Sequence, residues 1–210
     1  MVFGIKKYEI ELTNKCNALC IGCPRTNKEG TGKHPGLVLR DTSLEEFKSM
    51  FPPELCDRGA FNFCGLSGDP LASKDFLKII MYIREHNPKW IGITTNGSLG
   101  SKMTWETLAK MNSEDDPNFK MHMNFSVDGT EETNHIYRVN VKWKKVERNM
   151  LIWNKYSIPN HATWKFIDFG YNFNDIPTIK RRCRELNFNF SLVLSCRDET
   201  KGYKPGTLNG

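Results

Sequence analysis

Nowhere does this sequence hold an apolar run approaching the ~20 residues that a membrane-spanning helix requires. Its first residues, Met1 to Lys7, lack the charged-then-apolar order of a secretory signal. These absences predict a soluble, cytoplasmic chain. There is no internal repeat, no phosphate-binding loop and no second segment of distinct composition. One domain is therefore expected over residues 1–196, followed by a polar, Gly/Pro-containing tail over 197–210. The cysteines number seven, an odd count that argues against a fully paired disulfide framework. Disorder is excluded by 39% hydrophobic residues beside 26% charged ones. The net charge of +6 is scattered, apart from Lys142, Lys144 and Lys145 and the run Lys180, Arg181, Arg182 and Arg184. Such runs read as solvated helix faces. They permit an anionic partner such as RNA or a nucleotide without establishing one.

Short segments rich in strand formers recur along the chain: Tyr8–Leu12, Ala60–Cys64, Trp90–Thr95, Met121–Val127, Thr163–Phe169 and Phe188–Leu194. Helical periods fall between them. Ser43-Leu-Glu-Glu46 is a capping box. Asp75–His86 places Phe76, Ile79, Ile80 and Ile83 on one face. Thr104–Met111, Trp143–Tyr156 and Ile176–Leu186 follow. Strand and helix in alternation predict right-handed βαβ units on a parallel sheet, an α/β fold. Six strands are too few for a closed eight-stranded barrel. A partial six-unit barrel and an open doubly wound sheet both satisfy the pattern, and both bind ligands at the carboxyl ends of their strands.

Three of the cysteines crowd together just after the first strand, in Glu11-Leu-Thr-Asn-Lys-Cys16-Asn-Ala-Leu-Cys20-Ile-Gly-Cys23-Pro-Arg25. The spacing is Cys-x3-Cys-x2-Cys in a polar loop, which is unsuited to burying three small hydrophobes. Thiolate sulfur suits iron–sulfur clusters and zinc. Structural zinc wants four ligands, and the nearest histidine, His34, sits in a Gly-rich stretch. Three thiolates on a four-iron cluster would leave one iron open for chemistry. Zinc held with His34, in a binding module, stays open as an alternative. So does a cluster that only carries electrons. Cys56, Cys64, Cys183 and Cys196 have no close cysteine neighbour and read as small buried hydrophobes.

At these residues the chain resembles the radical S-adenosylmethionine superfamily, and later segments extend the resemblance over nearly the whole chain. Asn62-Phe-Cys-Gly-Leu-Ser-Gly-Asp-Pro-Leu71 is similar to the family's Gly-Gly-Glu-Pro segment, with Gly68 and Asp69 as second glycine and acid and Ser67 in place of the first glycine. Thr94-Thr-Asn-Gly-Ser98 and Phe125-Ser-Val-Asp-Gly129 resemble segments at the ends of the third and fourth strands. The details look closest to the molybdenum-cofactor and peptide-maturing branch, without its C-terminal cysteine-rich extension.

The resemblance implies a partial (βα)6 barrel in which Cys16, Cys20 and Cys23 hold a [4Fe–4S] cluster. It implies S-adenosyl-L-methionine as second cofactor, cleaved reductively to give a 5′-deoxyadenosyl radical that takes hydrogen from a substrate. It places Gly68 and Asp69 at the methionine amino group, where the short acid calls for help from a backbone carbonyl. Thr95 and Asn96 are implied beside the cofactor, Ser126 and Asp128 at the ribose or carboxylate, and Arg138 on the methionine carboxylate, which a guanidinium grips bidentately. Lys165 and Asn172 are further candidates. An electron donor such as flavodoxin or ferredoxin is implied as partner. The substrate, whether peptide, nucleotide or RNA base, is not specified. Asn14, Asn17 and Gly22 are expected to supply amide donors to the sulfurs.

Overall fold

A computed structural model describes residues 6–27, 29, 31–113 and 119–194 of the chain. Cys196, the tail at 197–210 and most of the Met1–Lys7 segment lie outside the described residues. Six parallel strands form one sheet in the order β1 (Lys7–Ile10), β2 (Ala60–Phe63), β3 (Trp90–Thr95), β4 (Met121–Ser126), β5 (Ala162–Asp168) and β6 (Asn189–Leu194). Each strand pairs with its sequence neighbour, so the strand order never reverses. A doubly wound sheet needs such a reversal; the open partial barrel does not. No helix among the described residues is long and apolar enough to cross a membrane.

The helices lie in the crossovers: α1 (Leu44–Met50), α2 (Pro53–Cys56), α3 (Phe76–Arg84), α4 (Lys102–Met111), α5 (Asn134–Tyr137), α6 (Trp143–Tyr156) and α7 (Ile176–Glu185). The capping box at Ser43 and Glu46 forms as expected, at 3.2 and 2.7 Å. One expected start was misplaced. Helix α4 is capped by Ser101, whose hydroxyl accepts from the Thr104 amide at 3.0 Å, and so begins two residues before Thr104.

Strand alternation separates two faces. Phe61, Phe63, Ile91, Ile93, Met121, Met123, Phe125, Trp164 and Phe166 are buried against the helices. They meet Phe47, Ile79, Ile80, Ile83, Trp105, Leu108, Val146 and Trp153 in a single core. Each such side chain removed from water contributes about 1.5–3 kcal/mol. The opposite face carries polar residues on β1 to β5, with apolar Ile167 and Val193 toward its far edge. Register aligns Glu9 with Asn62, Asn62 with Gly92, Thr94 with Asn124, and Ser126 with Lys165. A closed barrel of this kind fills its interior with branched apolar residues. Here the space is left open, walled by polar side chains such as Asn62, Ser126 and Lys165 beside apolar Ile167 and Val193.

Candidate active site at the carboxyl ends of the strands

The loops leaving the carboxyl ends of the strands surround a cavity of about 460 Å³. Its wall includes Cys16, Cys20, Cys23, Gly68, Asp69, Thr95, Asn96, Ser126, Arg138 and Lys165. Segments at the ends of five strands, and the end of β6, thus converge on one space, although their residues are spread over most of the chain.

The cysteine loop owes its shape to a few contacts. The Leu19 amide donates to the Val139 carbonyl at 3.0 Å and the Cys23 amide to the Cys20 carbonyl at 3.1 Å. Gly22, between two cysteines, has φ +77°, a conformation costly for any residue with a Cβ. Donors to sulfur come partly from unexpected places. The Ala18 amide lies 3.4 Å and the Asn96 side-chain amide 3.5 Å from Cys16 Sγ. An Arg138 nitrogen lies 3.7 Å from Cys20 Sγ. Asn14 instead ties the loop to Val38 and Arg40, and Asn17 reaches Ser98 with its amide. Burial, reinforced by the nearby Asp69 charge, pushes the Cys16 thiol up to about 11, and burial raises Cys20 as well. Both are therefore thiols until a cation displaces their protons.

Gly68 is pressed onto the first strand's exit. A Cβ there would stand 1.9 Å from the Thr13 carbonyl oxygen. The neighbouring Asp69 amide donates to the Lys15 carbonyl at 2.9 Å, which binds the segment to the cysteine loop. The Asp69 carboxylate is buried and fully engaged. It accepts from the Thr95 hydroxyl at 2.9 and 3.0 Å, the Asn96 amide at 2.8 Å and the Leu71 amide at 3.1 Å. Burial pushes this carboxyl up, and the donated bonds oppose that. Asp69 thus braces the ends of β2 and β3 from its place in the cavity wall.

Asp128 and Arg138 are paired, one behind the cavity and the other in its wall. Asp128 is fully buried, does not line the cavity, and accepts Arg138 Nε at 2.6 Å and the Ile167 amide at 2.7 Å. Burial alone would weaken the Arg138 charge, but the Asp128 carboxylate more than reverses this and holds the guanidinium above its ordinary range. Arg138 does line the cavity, with one nitrogen turned to Cys20. Asn172 is a brace: its buried side chain bonds Asp128, Ile167 and Phe169 main chain. Ser126 and Lys165 do stand in the wall, as expected.

Sequence reasoning missed Asn62, Cys64 and Arg25 in the wall. Asn62 and Cys64 were legible from alternation on β2, since they share the face of Glu9. Cys64 is half-buried in the cavity wall, whereas Cys56 and Cys183 are core residues as expected. His34 turns its ring to the Gly36 amide at 3.1 Å and does not reach the cavity. Among the described residues, no three His, Cys, Asp or Glu side chains are gathered as one metal ion would need. The set fits an extended cluster better than a single zinc: three thiols on one wall, with nitrogen donors and two guanidiniums beside them.

Known proteins share both pattern and fold. The family model of the Radical SAM superfamily matches residues 10–180. A probable GTP 3′,8-cyclase of Methanocaldococcus jannaschii is 26% identical across 95% of this chain and 62% of its own length. A second, from Methanococcus maripaludis, is 32% identical over 98 residues, 47% of this chain and 31% of that protein. The crystal structure of Streptococcus suis SuiB bound to S-adenosylmethionine superposes with a TM-score of 0.70 at 17% identity, covering 97% of this chain and 43% of that one. That likeness is one of fold. The chain thus spans under two thirds of the length of each relative.

Proposed function

The chain is an enzyme of the radical S-adenosylmethionine superfamily, and from that premise we propose that Cys16, Cys20 and Cys23 hold a [4Fe–4S] cluster and that S-adenosyl-L-methionine binds in the cavity beside them. When bound, the cluster supplies the electron for reductive cleavage of the sulfonium. One observation carries the reading. The three thiols share a single cavity wall with Gly68, Asn96, Ser126 and Arg138, at the carboxyl end of the sheet. Ligands of such sheets bind there.

The chain's own residues do three things in this reading. The cysteine loop offers three sulfurs, with Ala18, Asn96 and Arg138 donating toward them. Such donors favour the more negative form of a cluster and raise its potential. Asp69 fixes Asn96 and Leu71 so that the main chain around Gly68 faces the cavity, where backbone groups meet the amino acid portion of the cofactor in place of the engaged carboxylate. Arg138, anchored through Nε by Asp128, keeps a charged edge toward the cavity for a carboxylate. A one-electron donor such as flavodoxin or ferredoxin is the partner we propose.

Asn62, Ser126 and Lys165 in the wall suit a substrate that forms hydrogen bonds, and Leu66, Ile167 and Val193 offer it apolar surface. The cyclase relatives make GTP the first nucleotide to assay. The test is anaerobic reconstitution with iron and sulfide, then incubation with S-adenosyl-L-methionine and dithionite. We expect methionine and 5′-deoxyadenosine from the wild type and neither from Cys20→Ala. Cleavage persisting in Cys20→Ala would overturn the proposal.

A further inference from the structure

Arg25 is 3% exposed, lies against the three-cysteine loop and has no carboxylate within ion-pair distance among the described residues. Its guanidinium spends its donors on main-chain oxygens: Nε on Asn14 at 2.6 Å, Nη2 on Cys16 at 3.3 Å and Nη1 on Ala18 at 3.4 Å. Carbonyls of alternate residues all turn to one planar cation, so the loop curls around it. Its own main chain is held in turn. The Arg25 carbonyl accepts from the His34 amide at 2.7 Å, and Thr26 bridges to Lys33. Carbonyls satisfy the N–H groups but leave the charge uncompensated, and a buried, unmatched charge is expensive. Nearby negative charge can come from the sulfurs themselves, which line the same cavity as Arg25 and are anionic once they ligate a metal.

From this geometry we infer that Arg25 is a positioning residue with two roles: it templates the 14–18 segment into its ligating curve and supplies the buried positive charge that balances the anionic sulfur assembly. The inference rests on the reading that Cys16, Cys20 and Cys23 hold an iron–sulfur cluster. Lysine keeps the charge but lacks the fork, so it cannot grip three carbonyls at once. Methionine keeps bulk and loses both. Arg25→Lys and Arg25→Met therefore separate shape from charge.

The experiment uses the full chain, reconstituted anaerobically, with circular dichroism to confirm the fold. Three quantities are read: the midpoint potential by redox titration, iron retention against a chelator, and hydrogen exchange of the peptide covering residues 14–20. Arg25→Met should shift the potential to more negative values and weaken iron retention by roughly 10–100-fold, as loss of an outer partner of a metal ligand does. Arg25→Lys should keep the wild-type potential yet lose iron faster than wild type. Exchange of the 14–20 peptide should rise in both variants even before iron is added. That last readout needs no cluster, so a wild type that takes up no iron would sink the functional reading while leaving the loop-shaping role to be judged by exchange. If Arg25→Met folds with unchanged potential, retention and exchange, the inference is wrong. If Arg25→Met is unfolded, Arg25→Lys decides, and its matching wild type in retention and exchange overturns the templating role.

Discussion

Adding one methyl group at Gly68 should unseat the strap between β2 and the cysteine loop. The new Cβ would stand 1.9 Å from the Thr13 carbonyl oxygen and 3.0 Å from Asn14 Cα. A comfortable carbon–oxygen contact is about 3.3 Å, so the two segments must separate by roughly 1.4 Å. Both partners are main chain, and no rotamer change relieves the clash. Overpacking costs about 1–3 kcal/mol, and a backbone collision belongs at the upper end. For a chain of this size 1 kcal/mol lowers Tm by about 2–4 °C, so Gly68→Ala should lose about 6–12 °C. Separation would also strain the Asp69 amide bond to Lys15, so affinity for S-adenosyl-L-methionine should fall as well. Gly36→Ala is the control, because its Cβ would meet only the His34 ring, at 3.5 Å. Thermal unfolding followed by circular dichroism reads the first effect and calorimetric titration the second. A Gly68→Ala protein that melts with the Gly36→Ala control would refute the reasoning.

Removing the guanidinium in Arg138→Met leaves the Asp128 carboxylate buried with the Ile167 amide as its remaining side-chain-directed donor, a loss of about 3–5 kcal/mol. Urea unfolding should show most of it restored in the Asp128→Asn/Arg138→Met double variant; purely additive losses would contradict the pairing. His122 offers a pH test. Burial, helped by the neighbouring His161, depresses its pKa, so the folded chain resists a proton that the unfolded chain accepts near pH 6.5. This contribution to stability is present above about pH 6.5 and is lost as pH falls from there toward the folded-state value. His122→Gln should flatten the fall in urea stability between pH 8 and 5.5, and an unchanged slope would refute the assignment.

How far the residues announced this structure depends on the length scale of each signal. The six strands and longer helices were legible because burial of one face imposes a period. Trp90–Thr95 and Trp143–Tyr156 have the expected bounds. Helices α2 and α5, four residues each, are too short to show a period. At α4 two hydroxyls lay near the start, and only the backbone angles at Ser101 show which one caps. In the site, spacing identified the cysteine loop, whereas the direction of a side chain depends on neighbours brought in from elsewhere. Asp69, Asp128 and Asn172 were read as groups facing a ligand. Each ties together segments remote in sequence, as Asn96 and Ile167 do from the other side of those bonds, and of the three only Asp69 also lines the cavity. Arg25 carried no period and no motif; its role emerges only once Asn14, Cys16 and Ala18 are seen to surround it.

The central claim is that three sulfurs hold a four-iron cluster with one iron left for S-adenosyl-L-methionine. Electron paramagnetic resonance of the anaerobically reconstituted, dithionite-reduced chain tests it most directly, beside iron and sulfide analysis. The account predicts about four irons and four sulfides per chain and a reduced-cluster signal that changes when S-adenosyl-L-methionine is added. A single bound zinc, or a cluster whose signal ignores that addition, would contradict it.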